Sequence, residues 1–208
     1  MKHIKLENYR TSENSYLIYD PATKQGAVID PGNPVSDILD AARANGIEIR
    51  YILLTHCHYD HIEYLNELRA QTGAYVVTGD KCAINLCDPD INLTYAGLGY
   101  DLAPKRPEIV LADGEEFAIG EDKVRCIYTP GHTNCSVCYL ADDGLYAGDT
   151  LFLRSCGRWD LPTGNEAQIR RSIVERLYTL PDDTPVYPGH SGDTTIGYEK
   201  RFNFVVRS

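Results

Sequence analysis

Short apolar runs broken by turn residues open the chain. Ser15 to Tyr19 and Ala27 to Ile29 are extended runs, with Asp20-Pro21 between them and Asp30-Pro31-Gly32 after them. That rhythm predicts neighbouring strands of one sheet. From Pro34 the period changes. Val35, Ile38, Leu39 and Ala42 recur at helical spacing, and Asn45-Gly46 supplies a stop. The apolar run Ile49 to Leu54 predicts another strand, which feeds directly into Thr55-His56-Cys57-His58-Tyr59-Asp60-His61 before Ile62, Leu65 and Leu68 resume the helical period. The histidines therefore fall in a strand-to-helix loop, where α/β sheets keep their chemistry.

A strand over Ala74 to Thr78 and a short helix are expected next. The stretch Asp88 to Pro107 has little periodicity, and its Tyr95, Leu98, Tyr100 and Leu102 suggest a lid or substrate wall. The second half opens at Ile109 and reads as successive strands over Glu115 to Ile119, Lys123 to Tyr128, Ser136 to Leu140 and Leu145 to Ala147. Asn165 with Gln168 three residues on resembles a capping box, and Ile169, Ile173 and Leu177 form the apolar stripe of the helix it starts. Strands and helices thus alternate in two rounds, which predicts an α/β protein of two packed sheets with helices outside both. No linker or low-complexity segment divides the 208 residues, so one domain over 1–208 is expected.

Composition narrows the function. With 43% hydrophobic and 24% charged residues there is enough apolar surface for a packed core. Thirty acidic against twenty basic side chains give a formal charge of -10, which opposes binding to a phosphate backbone, so no nucleic-acid partner is expected. The charged start, with Lys2, Lys5, Glu7 and Arg10, argues against a secretory leader, and no run of roughly eighteen apolar residues offers a membrane span. Seven cysteines are an odd number in a chain too long to need staples, so they read as reduced thiols of a cytoplasmic protein. A structural zinc on Cys82/Cys87 and Cys135/Cys138 is disfavoured, because the second pair lies in a strand.

The chemistry centres on histidine. Five of the six sit beside turn residues or other potential ligands: His56, His58 and His61 in one loop, His132 in Thr129-Pro130-Gly131-His132, and His190 in Tyr187-Pro188-Gly189-His190. His3 is left over and is assigned to the surface. Three imidazoles and a carboxylate within six residues would repel if charged, and a metal is the partner they share. In an extended loop, residues two apart face one side, so His56 and His58 suit one ion while Asp60 and His61 face a second. Asp149, after the strand ending at Ala147, offers a bridging carboxylate. Cys57 points away from the ligands by the same alternation.

Thr55 to His61, Pro130-Gly131-His132, Gly148-Asp149 and Pro188-Gly189-His190 together resemble the metallo-β-lactamase fold hydrolases, in order and separation, as does Asp30-Pro31-Gly32. The resemblance implies a four-layer αβ/βα sandwich. It also implies one divalent ion on His56, His58 and His132, a second on Asp60, His61 and His190, and Asp149 bridging both, with zinc the first choice and iron or manganese the others. Within the family, Gly148 to Phe152 leading to Ser155 to Pro162, and Thr194 to Gly197 leading to Glu199 to Arg201, resemble the small glyoxalase II-like (hydroxyacylglutathione hydrolase-like) proteins. True β-lactamases of the superfamily generally carry cysteine where this chain has Asp149, which disfavours antibiotic hydrolysis.

The chain departs from the family pattern at Asn134-Cys135, where Pro-Gly is usual, and at Glu63-Tyr64, where small residues, often glycines, are usual. Only eighteen residues follow His190, so the helical domain with which larger glyoxalase II enzymes grip glutathione is not expected.

Two divalent ions, two carboxylates and a hydroxide leave a net positive site suited to an oxyanion. The expected reaction is attack of a two-metal-activated hydroxide on a small-molecule thioester, with Asp60 also orienting the hydroxide and relaying a proton. The alternatives are a persulfide dioxygenase with a single iron, and a hydrolase of another ester or a lactone. Thr133 and Thr150 are candidate supports of the ligands, Arg158 with Asp160 a loop-shaping ion pair, Tyr95, Tyr100 and Trp159 candidate substrate-wall residues, and Lys200 and Arg201 solvated charges.

Overall fold

The computed structural model describes residues 1–207. The first half of the chain builds β1 (Lys2–Glu7), β2 (Asn14–Tyr19), β3 (Gln25–Ile29), α1 (Val35–Asn45), β4 (Glu48–Leu53), α2 (Tyr59–Ile62), α3 (Leu65–Thr72), β5 (Tyr75–Gly79), α4 (Asp80–Asn85), α5 (Pro89–Asn92), α6 (Thr94–Leu98) and β6 (Ile109–Leu111). The second builds β7 (Glu116–Ile119), β8 (Asp122–Tyr128), β9 (Val137–Ala141), β10 (Gly144–Gly148), the short pair β11 (Leu151–Phe152) and β12 (Ser155–Cys156), α7 (Glu166–Ser172), β13 (Pro185–Pro188), β14 (Thr194–Thr195) and α8 (Ile196–Phe202).

Among the described residues the strands form two six-stranded sheets, ordered β1-β2-β3-β4-β5-β6 and β14-β13-β10-β9-β8-β7. The pairings from β3 to β6 are parallel, as is β10 with β13. Alternation along the strands explains the stacking, since successive side chains leave opposite faces. Leu17 and Tyr19 of β2, Val28 of β3, Ile52 of β4 and Val76 of β5 pack under α1 and α3 with Ile38, Ala42, Leu65 and Leu68. Their neighbours Tyr16, Ile18, Ile29, Leu53 and Val77 face the second sheet and meet Val124, Cys126, Val137, Tyr139 and Tyr146. The outer face of that sheet, with Ile127, Cys138, Leu145 and Ala147, packs on Ile169, Ile173, Leu177 and Ile196 of the last helices. Three core layers thus separate four layers of structure, the expected αβ/βα sandwich.

Most predicted elements shift by a residue at their ends. α1 stops at Gly46, which adopts the left-handed conformation, and the Asn165 side chain accepts the Gln168 main-chain N–H at the start of α7. The stripe Ile169, Ile173 and Leu177 is present, but Ile173–Leu177 continues α7 as a π-helical turn. One element was not anticipated, and one reading needs correction. The charged N-terminal segment is an edge strand, β1, paired antiparallel with β2. Ile109 does not open the second sheet: β6 pairs with β5 and closes the first.

Candidate metal centre

Four chain segments converge where strands of the two sheets end. β4 runs into Thr55–His58 and α2, β8 leads to Thr129–His132, β10 ends one residue before Asp149, and β13 ends two residues before His190. A main-chain bond joins the two sheets here, from Val137 N–H to Thr55 O at 2.8 Å, and another ties the ends of β13 and β10 within the second sheet, from Gly189 N–H to Gly148 O at 2.9 Å. Two glycines allow the approach. Gly131, at φ 145°, lets the His132 loop lie against α7, because a Cβ there would collide with Ile169. A Cβ on Gly189 would strike the Asp149 carboxylate and come 2.7 Å from His61 Cε1.

The histidines fall into two groups. His56, His58 and His132 each bring a ring nitrogen within 4.8 Å of the other two, and all three are buried. Asp60, His61 and His190 converge within the same limit. Asp149 stands between the groups: Oδ1 is 3.3 Å from His61 Nε2, and Oδ2 is 3.5 Å from His132 Nε2 and 3.8 Å from His190 Nε2.

The far ring nitrogens are held from behind. His61 Nδ1 meets Asp30 Oδ2 at 2.9 Å, His132 Nδ1 the Arg158 carbonyl at 2.7 Å, His190 Nδ1 the Ser12 carbonyl at 2.9 Å, and His56 Nδ1 the Thr55 hydroxyl at 3.1 Å. His58 differs, with Nδ1 turned inward to lie 2.8 Å from His132 Nε2. This backing fixes the orientation of the other four rings as in metal sites generally.

The donor atoms fit a metal. On the side where the groups converge, Nε2 of His56 and His61 and Oδ1 of Asp149 are buried with no hydrogen-bond partner among the described residues. Each such orphan costs about 1–3 kcal/mol, and a shared cation would relieve several at once. Imidazole nitrogen with carboxylate oxygen suits zinc and iron.

Electrostatics divide the groups further. Burial, reinforced by the neighbouring imidazoles, drives the His56 pKa well below its ordinary value and brings that of His58 down to about 3, so both rings are neutral. Burial also works against charge on His61 and His190. There the carboxylates of Asp149 and Asp60 outweigh it and raise both pKa values, His61's strongly. Asp149 and Asp60 answer in kind: burial opposes their ionisation, but the histidines hold both below the ordinary carboxylate range.

A cleft of about 450 Å³ opens over the two groups, lined by Leu93, Phe152, Leu161 and Arg158 beside the polar side chains. The expected wall residues lie elsewhere. Tyr95 and Tyr100 are exposed, and Trp159 packs on the outer core layer below the Arg170 guanidinium. The Asp88 to Pro107 stretch contributes Leu93 instead. Thr133 bonds Ser136 and Thr150 bonds Thr129, so neither supports a histidine. Thr55 does, and so do Asp30 and the Arg158 carbonyl, which sequence reasoning missed. The Asp30-Pro31-Gly32 turn after a strand was the available signal.

Arg158 and Asp160 form an exposed two-point ion pair. Lys200 is not merely solvated, since it pairs with Asp182 at 2.6 Å. His3 is half-buried, packed 4.3 Å from the Tyr187 ring and bonded to Asp143.

The family model of the metallo-beta-lactamase superfamily matches residues 8–190, a span that includes all seven of these side chains. The chain belongs to the metallo-beta-lactamase superfamily. It is similar to the probable metallo-hydrolase MJ0888 of Methanocaldococcus jannaschii, with 34% identity over 207 residues and 97% of each chain covered. Among solved structures it is similar to the BLEG-1 B3 metallo-beta-lactamase, with a TM-score of 0.92, 28% identity and 100% of both chains covered. It is also similar to TTHA1623 in a di-iron-bound form, with a TM-score of 0.82, 29% identity, and 97% and 98% covered. As a metallo-beta-lactamase superfamily member the chain is a metallo-hydrolase, of a fold that binds divalent metals. No helix among the described residues is long and apolar enough to cross a membrane.

Proposed function

We propose that the chain, acting as one domain over 1–208, is a cytoplasmic thioester hydrolase of glyoxalase II type. In this reading His56, His58 and His132 hold one ion, Asp60, His61 and His190 a second, and Asp149 bridges them, with zinc the native metal. The observation that carries it is the position of Asp149, whose two oxygens approach ring nitrogens of both groups. The di-iron form of TTHA1623 supports a two-ion centre in a similar chain.

Bound there, two divalent ions supply a hydroxide nucleophile near neutral pH and polarise a carbonyl. The protein's own groups do the positioning. Asp60 borders the cleft, 3.2 Å from His190 Nε2, and its carboxylate orients the hydroxide and relays a proton. Leu93, Phe152 and Leu161 keep bulk water from the reacting carbonyl and lodge the acyl chain. Because Asp160 already engages Arg158 at two points, the rim favours an apolar or weakly polar substrate over a strongly anionic one.

A second reading, β-lactam hydrolysis, has the full-length similarity to BLEG-1 in its favour. Assaying the metal-replete protein against thioesters, lactones, β-lactams, phosphodiesters and persulfides, with metal measured on the same sample, separates these readings. Thioester turnover with about two ions per chain is expected. A single ferrous ion with oxygen consumption on persulfide would establish a dioxygenase, and turnover of β-lactams alone would establish the second reading.

A further inference from the structure

Three cysteines far apart in sequence meet behind the histidine cluster. Cys57, Cys82 and Cys135 each bring Sγ within 4.8 Å of the other two, and all three are buried. The closest pair, Cys57 and Cys135, lies 3.9 Å apart, sulfur to sulfur. A disulfide needs about 2.05 Å, whereas sulfurs sharing one ion at about 2.3 Å stand about 3.8–4.0 Å from each other. The observed spacing excludes the first arrangement and accommodates the second, as it does an S–H···S contact between the two reduced thiols. The pairs that spacing in sequence suggests do not form: Cys87 is exposed, and Cys138 lies in the outer core layer of the second sheet.

We propose that Cys57, Cys82 and Cys135 form a separate, all-sulfur site for a soft d10 ion that accepts three ligands, with copper(I) the best match. Thiolates select soft ions. The group includes no imidazole or carboxylate, and structural zinc takes four ligands, so a three-coordinate ion fits better. The surrounding layer is apolar, with Leu54, Ile62, Leu65, Val76 and Leu86, and this keeps water out. Three polar side chains also reach the sulfurs: Thr133, whose Oγ1 lies 3.3 Å from Cys135 Sγ and can donate to it, Asn85 beside Cys135, and Thr78 beside Cys82. Each metal–sulfur bond that forms replaces an S–H bond whose proton leaves to solvent, and no change of oxidation state is involved.

The placement gives the site a consequence. Cys57 lies between His56 and His58, Cys135 follows His132 by three residues, and Cys82 lies in α4. An ion there clamps together the two loops that carry the first histidine group. The site does not depend on the reading of that group, because its donors are different atoms.

The test uses the full chain, zinc-loaded, reduced and kept anaerobic, titrated with copper(I) presented by a coloured competing chelator. One equivalent should be taken up, with zinc content unchanged and X-ray absorption showing three sulfurs at about 2.3 Å. Cys57→Ser, Cys82→Ser and Cys135→Ser should each weaken uptake by about a hundredfold or more, and Cys87→Ser and Cys126→Ser should leave it unchanged. No uptake, nitrogen ligands on the copper, fewer than three sulfurs, or loss of uptake in Cys87→Ser would each overturn the proposal. The absorption measurement on the unaltered chain decides the matter even where a serine variant does not fold.

Discussion

Oδ2 of Asp30 lies 2.9 Å from Nδ1 of His61, and the same carboxylate accepts both the main-chain N–H and the hydroxyl of Thr55, at 2.8 and 2.5 Å. One buried side chain thereby ties α2 to the end of β4, fixing His61 relative to His56. Asp30 itself sits at φ 52°, in the left-handed region. That conformation costs a non-glycine residue about 1–2 kcal/mol, and the bonds to Thr55 and His61 hold it there.

Removing that support should loosen metal without unfolding the chain. Asp30→Ala is expected to lower affinity for the second ion by about 10–100-fold, read by competition with a chelator. Asp30→Asn, which keeps an oxygen toward Thr55, should lose less. Equal affinity in all three proteins would show that His61 needs no support from Asp30.

Asp60 and His58 call for opposite outcomes. Asp60→Asn keeps the shape of the side chain and leaves the first histidine group untouched, so metal on that group should persist while turnover falls by about 10²–10⁴-fold. His58→Ala removes a donor whose Nδ1 lies 2.8 Å from His132 Nε2, and should strip metal from the first group. Metal analysis beside a rate measurement separates the two, and full activity in Asp60→Asn would refute its role.

What could be read from the chain depended on range. His56, His58 and His61 share one loop, and His132, Asp149 and His190 each follow a short turn motif, so local pattern was enough to single them out. Asp30 carried its signal in the turn, but its bond to His61 spans thirty-one positions and nothing local announces it. β1 was invisible because neither of its faces is fully buried, which leaves no apolar period to detect. β6 was visible as an apolar triplet but was given to the wrong sheet, since only the register Val77 to Ile109 assigns it to the first. The three-cysteine cluster was hidden for a similar reason. Short spacing suggested Cys82 with Cys87 and Cys135 with Cys138, while the packing of β4, α4 and the His132 loop chose otherwise.

Acidification should empty the two histidine groups in order. In the metal-free chain the rings of His56 and His58 hold no proton at neutral pH, whereas Asp60 and Asp149 raise the affinity of His61 and His190 for one. An ion entering beside Asp60 must therefore expel protons that an ion beside His56 and His58 need not. Proton competition strengthens as pH falls, so affinity at the Asp60 group drops by up to about tenfold per pH unit for each proton displaced. Stepwise metal release between about pH 7.5 and 5.5, with the first ion lost from His61 and His190 by NMR of the imidazoles, is the expected course. Simultaneous loss, or the reverse order, would contradict it.

Thiol reactivity offers a test of packing that does not depend on metal. Cys87 alone among the seven cysteines is exposed. Burial pushes the Cys126 thiol up to about 12 and those of Cys138 and Cys156 to about 11. The sign is simple: a raised pKa keeps the thiol protonated, and only the thiolate reacts. At pH 8 roughly a thousandth or less of these groups is ionised, and what is ionised is shielded from reagent by the core. An alkylating reagent on the native chain should therefore modify Cys87 quickly and leave Cys126, Cys138 and Cys156 untouched, with little change up to about pH 9. Denaturant should then release every remaining thiol. Peptide mass mapping after a short pulse identifies the modified site, and fast labelling of Cys126 or Cys138 in the native state would mean that the interior of the second sheet opens far more readily than its packing implies.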